Sequence, residues 1–252
     1  MSNQSTIGTQ SIIQSLGNAW DNVKSNVWLF AGFALVYAII SGILSVIPIL
    51  GNLASLFSFI FSASIFSALN VYDRTKSLDF SDFFKWSPKF GRLFLGNLLL
   101  GILVIFLLIP FAFILVAILG LSFFTDIASN PENLRGLLVG STILVLVLAV
   151  LLFVIIVSIA LFAFPYIIQF TDLSFSESLS YSFKIGRNNI GQVVLFAFVA
   201  LGLSILGLVL CGIGLLITIP LVVATQYYFL HDMISEKEQD VAQWDFMQQN
   251  PS

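Results

Sequence analysis

"DLSFSESLSYSFKIGRNNIGQVV", Asp172–Val194, is the stretch on which the architecture turns. Ser174 followed by Glu177 reads as a capping box, in which the serine oxygen accepts a backbone N–H and the glutamate reaches back to the cap, so a helix starts here. Behind the cap, Phe175, Leu179 and Phe183 recur every four positions and form one apolar stripe on a short helix. Arg187 stands thirteen places after the cap, and an uncharged run begins immediately afterwards. The same phrase occurs twice more. In "SLDFSDFFKW", Ser77–Trp86, Asp79 and Asp82 form a weaker box, Phe80 and Phe84 carry the stripe, Pro88 ends the segment early, and Arg92 is thirteen places beyond the cap. In "SIIQSLGNAW", Ser11–Trp20, the cap is Ser11 with Gln14, the stripe is Ile12, Leu16 and Trp20, and the cation is Lys24.

Three features agreeing at one spacing in three places are read as an internal repeat, with units 11–73, 79–172 and 174–232 followed by an acidic cytoplasmic tail, 233–252. The outer units match further at an offset of 163 positions: Asn26 with Asn189, Ala34 with Ala197, Ser41 with Ser204, Gly51 with Gly214. Each unit is expected to be an amphipathic helix lying in the membrane interface, then a basic residue, then a pair of spans.

Composition sets the medium. The 252 residues are 58% hydrophobic, 14% aromatic and 9% charged, against roughly 25% charged in a soluble domain. A bilayer crossing takes about 20 apolar residues. Charges divide the chain into four uncharged blocks: Ser25–Tyr72, Leu93–Thr125, Gly136–Thr171 and Asn188–His231. The first and last are long enough for two crossings each, turning at "IPILGN" (Ile47–Asn52) and "LCGIG" (Leu210–Gly214). The middle blocks are read as single long helices kinked at Pro110 and Pro165. The expected fold is all-α, a bundle of six transmembrane helices plus short interfacial amphipathic helices.

Orientation follows from Lys and Arg, which concentrate on the cytoplasmic side. With six spans, Lys24, Arg74, Lys76, Lys85, Lys89, Arg92, Lys184, Arg187 and Lys237 share one side, and Arg135 alone lies opposite. Both termini are therefore expected in the cytoplasm, and the loop Thr125–Gly136 outside. Residues 1–10 carry no basic region or cleavage signal, so the N-terminus is expected to be retained.

The ends of the returning spans, Tyr72-Asp73, Thr171-Asp172 and His231-Asp232, each place a carboxylate beside the membrane. An acid at a helix C-terminus and a base at an N-terminus both oppose the macrodipole. Either Asp73, Asp172 and Asp232 pair with Lys24, Arg92 and Arg187 in an interfacial charge belt, or each charge reaches separately into solvent.

No Asp, Glu, Lys or Arg falls within the four blocks, which argues against an ion- or proton-coupled transporter. Asn70, Asn97, Gln169, Gln192 and Gln226 are expected to serve packing or the interface. Small residues recur along the first span (Ala31, Ala34, Ala38, Ser41, Ser45) and the fifth (Ala197, Ala200, Ser204, Gly207, Cys211, Gly214), faces that let helices approach closely inside one chain. Cys211 and His231 are the only residues of their kinds, which removes disulfide frameworks and cysteine or multi-histidine metal clusters. Neither a phosphate-cradling loop nor paired intramembrane carboxylates occur, so no catalytic, cofactor or metal residue is expected. The acidic tail gives no footprint for nucleic acid.

Along "FSESLSYSFKIGRNNIGQVV" (Phe175–Val194) and "LGLVLCGIGLLITIPLVVATQYYFLHD" (Leu206–Asp232) the chain resembles a widespread group of uncharacterised bacterial six-span membrane proteins, similar to the membrane domain sometimes attached to glycerophosphoryl diester phosphodiesterases. The hydrolase domain of those fusions has no counterpart here, so no catalytic residue carries over. The resemblance implies a bacterial cytoplasmic membrane. The expected function is that of a non-enzymatic bundle interacting with membrane lipids or with other membrane proteins. The alternatives are a permease for a hydrophobic solute and, third, a lipid-modifying enzyme working from Asp73, Arg74, His231 and Asp232.

Overall fold

The computed structural model describes residues 7–46, 58–106, 161–210 and 212–249, with 109 and 113. The turn at 47–52, Pro110, the loop 125–136 and Cys211 lie outside them. Within them all regular structure is helical: α1 (Ile7–Ser25), α2 (Val27–Ser45), α3 (Ser58–Thr75), α4 (90–106), α5 (Phe164–Phe170), α6 (Phe175–Asn188), α7 (Ile190–Val209) and α8 (Leu215–Gln249). Two 3-10 turns, Phe80–Phe84 and Ser87–Lys89, precede α4.

Burial sorts these helices into two kinds. Three stretches are long and apolar enough to cross a membrane: α2, Phe80–Phe106 ending in α4, and α7. They bury only 17%, 11% and 17% of their apolar windows, and Ile39, Ile43, Ile105, Phe198, Leu201 and Val209 point outward. α3, α5 and residues 215–234 of α8 carry most of the buried side chains among the described residues and form the centre. Residues 63–69 are buried without a break, as are 223–225 and 227–230. The rings of Phe66, Tyr166 and Tyr227, one from each inner helix, stand 5.8 to 6.0 Å apart and fill the axis.

Amphipathic segments close the bundle at one end. The turn Phe80–Phe84 packs on α3, α6 packs on α5, and α1 packs on α8 at the far end of the chain. Each segment thus sits on the inner helix that precedes it, with α1 completing the circuit on the last one. α2 and α7 both bear on α8, but Ala38, Ser45 and Ala197 of the expected small-residue faces are exposed, and Phe33, Phe196, Val199 and Leu203 do most of the packing. Gly207 lets α7 approach α8 closely, since a Cβ there would run into the Thr218 hydroxyl and the Leu215 side chain.

Three expectations change. Ser11 does not cap α1, which begins at Ile7; nothing in Ile7–Gln10 breaks a helix, so the serine falls inside the second turn. The middle amphipathic segment is a pair of 3-10 turns rather than an α-helix, with Pro88 inside the second, where its missing N–H is unneeded. At Pro165 the chain bends at 162–163 and restarts as α5. The Phe162 carbonyl accepts a hydrogen bond from Gln226 Nε2 at 2.6 Å, so the break leaves that buried group satisfied. α8 runs unbroken past Asp232 to Gln249.

Candidate functional site

The end of the bundle that carries the three amphipathic segments also carries the ion pairs found among the described residues, Lys85–Asp82 and Arg92–Asp172, and the polar cluster. Its geometry starts from two corners. α1 turns into α2 at Asn26 (φ −126°, ψ 31°) and α6 turns into α7 at Asn189 (φ −124°, ψ 33°). At each, the asparagine N–H is shared between the carbonyls three and four residues back: Val23 and Asn22, Gly186 and Ile185. Its Nδ2 donates again to the earlier carbonyl, at 3.1 Å to Asn22 and 2.8 Å to Ile185. Asparagine suits the place because its side chain supplies the donor that the end of a helix lacks.

Each amphipathic segment presents two faces. The face against the bundle is narrow: Ser15, Ala19 and Val23 on α1; Ser178, Ser182 and Ile185 on α6; Asp82, Phe83 and Trp86 in the middle segment. The expected stripes are divided by this packing. Ile12 is fully buried and Phe175 and Leu179 half-buried, whereas Trp20, Phe80, Phe84 and Phe183 are 40 to 47% exposed. Phe83 penetrates furthest, stacking on Phe33 at 4.6 Å and meeting Phe30 edge-on at 5.4 Å. Trp86 Nε1 donates to Ser64 Oγ at 2.8 Å, a buried bond contributing about 1 kcal/mol.

Both predicted boxes of the later segments form. Glu177 accepts from the Ser174 N–H at 2.8 Å and hydroxyl at 2.6 Å, which hold its carboxyl below the usual range. Burial pushes the Asp82 carboxyl up, but the hydrogen bond from Lys85, the Asp79 N–H and the lysine charge outweigh it and leave it lowered. The Lys85–Asp82 contact is 2.7 Å.

Of the six belt residues, Arg92 and Asp172 meet at 3.1 Å, and Arg92 also donates to the Leu173 carbonyl. Asp73 accepts instead from the Tyr228 hydroxyl at 3.1 Å, which in turn accepts from Asn22 Nδ2 at 2.5 Å. Lys24, Arg187 and Asp232 are exposed. His231, beneath them, shares a 2.9 Å hydrogen bond with the Tyr166 hydroxyl and stacks on Tyr227 at 5.5 Å. Asn22, Tyr166 and Tyr228 had no signal of their own in the sequence, since hydrogen bonds spanning 206 and 155 positions leave no local trace.

The amides fall mostly where packing needs them. Gln169 Nε2 donates to the Ala63 carbonyl and to Ser67 Oγ, both at 3.0 Å, joining α5 to α3. Lys89 was read only as a cytoplasmic charge; it donates to the Gln169 carbonyl at 2.8 Å. No protein-family model, curated protein or solved structure matches the chain.

Proposed function

We propose that this chain is a multi-pass protein of the bacterial cytoplasmic membrane, built from three units of one amphipathic segment and two crossings, that acts without catalysis by engaging inner-leaflet lipid or neighbouring membrane proteins. The bacterial setting rests on the resemblance of residues 175–194 and 206–232 to six-span bacterial proteins. The threefold plan is supported by the matched corners at Asn26 and Asn189, by the circuit of amphipathic segments on inner helices, and by the central triangle of rings.

One observation carries the functional reading. At each segment an aromatic flank (Trp20; Phe80 and Phe84; Phe183) stays uncovered, followed four to twelve positions later by a cation (Lys24, Arg92, Arg187), at the foot of a helix that hides little of its own apolar surface. Aromatic rings with adjacent positive charge are what the headgroup layer of an anionic leaflet attracts.

Topology provides the test. On a Cys211→Ser background, cysteine at Ser129 is expected to react with an impermeant maleimide in intact cells, and cysteine at Lys76 only after permeabilisation. The reverse pattern would turn the amphipathic segments toward the outer leaflet and remove the assignment.

A further inference from the structure

The two outer amphipathic helices match in packing and differ in charge. At the offset of 163 positions, Ser15 stands with Ser178, Ala19 with Ser182 and Val23 with Gly186 on the buried side, and Trp20 stands with Phe183 on the open side. Beside those rings the correspondence breaks: α6 carries Lys184 where α1 carries Asp21, while Arg187 and Lys24 agree. All four charged residues are exposed.

A cation in the last turn suits a helix's own dipole, and Lys24 and Arg187 each stand in one. Lys184 lies before that turn, so the dipole gives no reason for it. It shares an exposed face with Arg187 three positions on, where like charges about 5 to 6 Å apart repel. No carboxylate lies within ion-pair distance of either among the described residues. Glu177, the acid of the same helix, is two turns back, about 10 Å from Lys184 along the axis, and is closed into its cap by Ser174. Elsewhere the charges are answered. Asp21 stands one turn from Lys24, and in the middle segment Lys85 meets Asp82, Arg92 meets Asp172 and Lys89 donates to the Gln169 carbonyl.

We infer that α6, and not α1, binds the phosphate of an anionic inner-leaflet phospholipid on its open face, between Lys184 and Arg187, with the Phe183 ring beside it. The guanidinium can take two phosphate oxygens at once and the ammonium adds a point charge, so one anion relieves the repulsion of the pair. A zwitterionic headgroup brings its own cation to that face, and an anionic one does not. The inference rests on the membrane reading above and gives it one segment and one ligand class.

The test reconstitutes the full chain, as Cys211→Ser, in phosphatidylcholine vesicles with a fluorophore on Ser180→Cys or Gly17→Cys, matched exposed positions four residues before Lys184 and Asp21. Quenching by dilute brominated phosphatidylglycerol is compared with quenching by brominated phosphatidylcholine. At position 180 the glycerol lipid is expected to be enriched about fivefold or more, fivefold being the effect of one lysine or arginine near an anionic headgroup. At position 17 the two lipids should quench alike. Lys184→Asp, which copies α1, should abolish the enrichment at position 180, and Asp21→Lys, which copies α6, should create it at position 17. Both residues are exposed, so neither substitution touches the packed face. Equal quenching by the two lipids at position 180, or an enrichment that Lys184→Asp leaves unchanged, overturns the inference. If quenching itself persists and maleimide labelling gives the expected topology in that case, the membrane reading stands and the α6 face is left to an acidic protein partner; absence of quenching at both positions, or reversed labelling, removes both.

Discussion

The corners at Asn26 and Asn189 share one backbone geometry at matched positions of the two outer units, whereas the corner between Phe80 and Phe90 reaches an equivalent place by another route. In the outer pair, an α-helix with small residues on its inner face, Ser15 and Ala19 or Ser178 and Ser182, lies flat on an inner helix and turns at an asparagine. In the middle, two 3-10 turns are too short to offer such a face, and one large ring, Phe83, is driven between Phe30 and Phe33. What is held in common is therefore the seat on an inner helix and the cation that follows. The helix itself is one of two ways to make that seat.

The comparison breaks most visibly at Phe83. Phe83→Ala should destabilise the protein by about 3 to 5 kcal/mol through the cavity it leaves, while Ser178→Ala, its counterpart on a small-residue seat, should cost only about 0.5 to 1.5 kcal/mol. Unfolding midpoints in mild detergent would measure both, and equal losses would mean that the two kinds of seat are held alike. The outer corners sharpen it: Asn26→Ala and Asn189→Ala each remove one side-chain bond to a helix-end carbonyl, so each should cost about 1 kcal/mol, the two agreeing within error. A clear inequality would show that the matched backbone hides unequal roles.

The smallest effect depends on pH. The Glu177 and Asp82 carboxyls sit below their usual values, so the caps they close are fully in place above the ordinary carboxylate range and are lost as pH falls through the lowered values. Hydrogen-exchange protection at the starts of α6 and of the Phe80–Phe84 turn should be flat from neutrality down to the ordinary carboxylate range and fall only below it. The start of α1, with no acid in its first turn, should show no such fall, and Glu177→Gln should abolish it in α6.

Much of this was legible because it is local. Lys24, Arg92 and Arg187 do stand at the feet of the three most apolar helices, and Ser174 with Glu177 starts a helix as the spacing requires. The division of each stripe was not legible. Periodicity tells which residues share a side of a helix, but not whether that side meets protein or lipid, and here the narrower Ser and Ala face takes the protein while Trp20 and Phe183 are left outside. Likewise, the short side chains at Ser15 and Ser178 announce close approach without naming the neighbour. The docking of α1 on α8 and the Tyr166–His231 bond join segments that no pattern within either could connect.

That docking orders events in time. A ribosome delivers Ile12, Ala19 and Val23 well before the α8 surface that covers them, so the opening helix has to wait for its partner while the segments between are made. Asn22 finds Tyr228 only after the 206 positions between them have been made, and that late handshake closes the circuit.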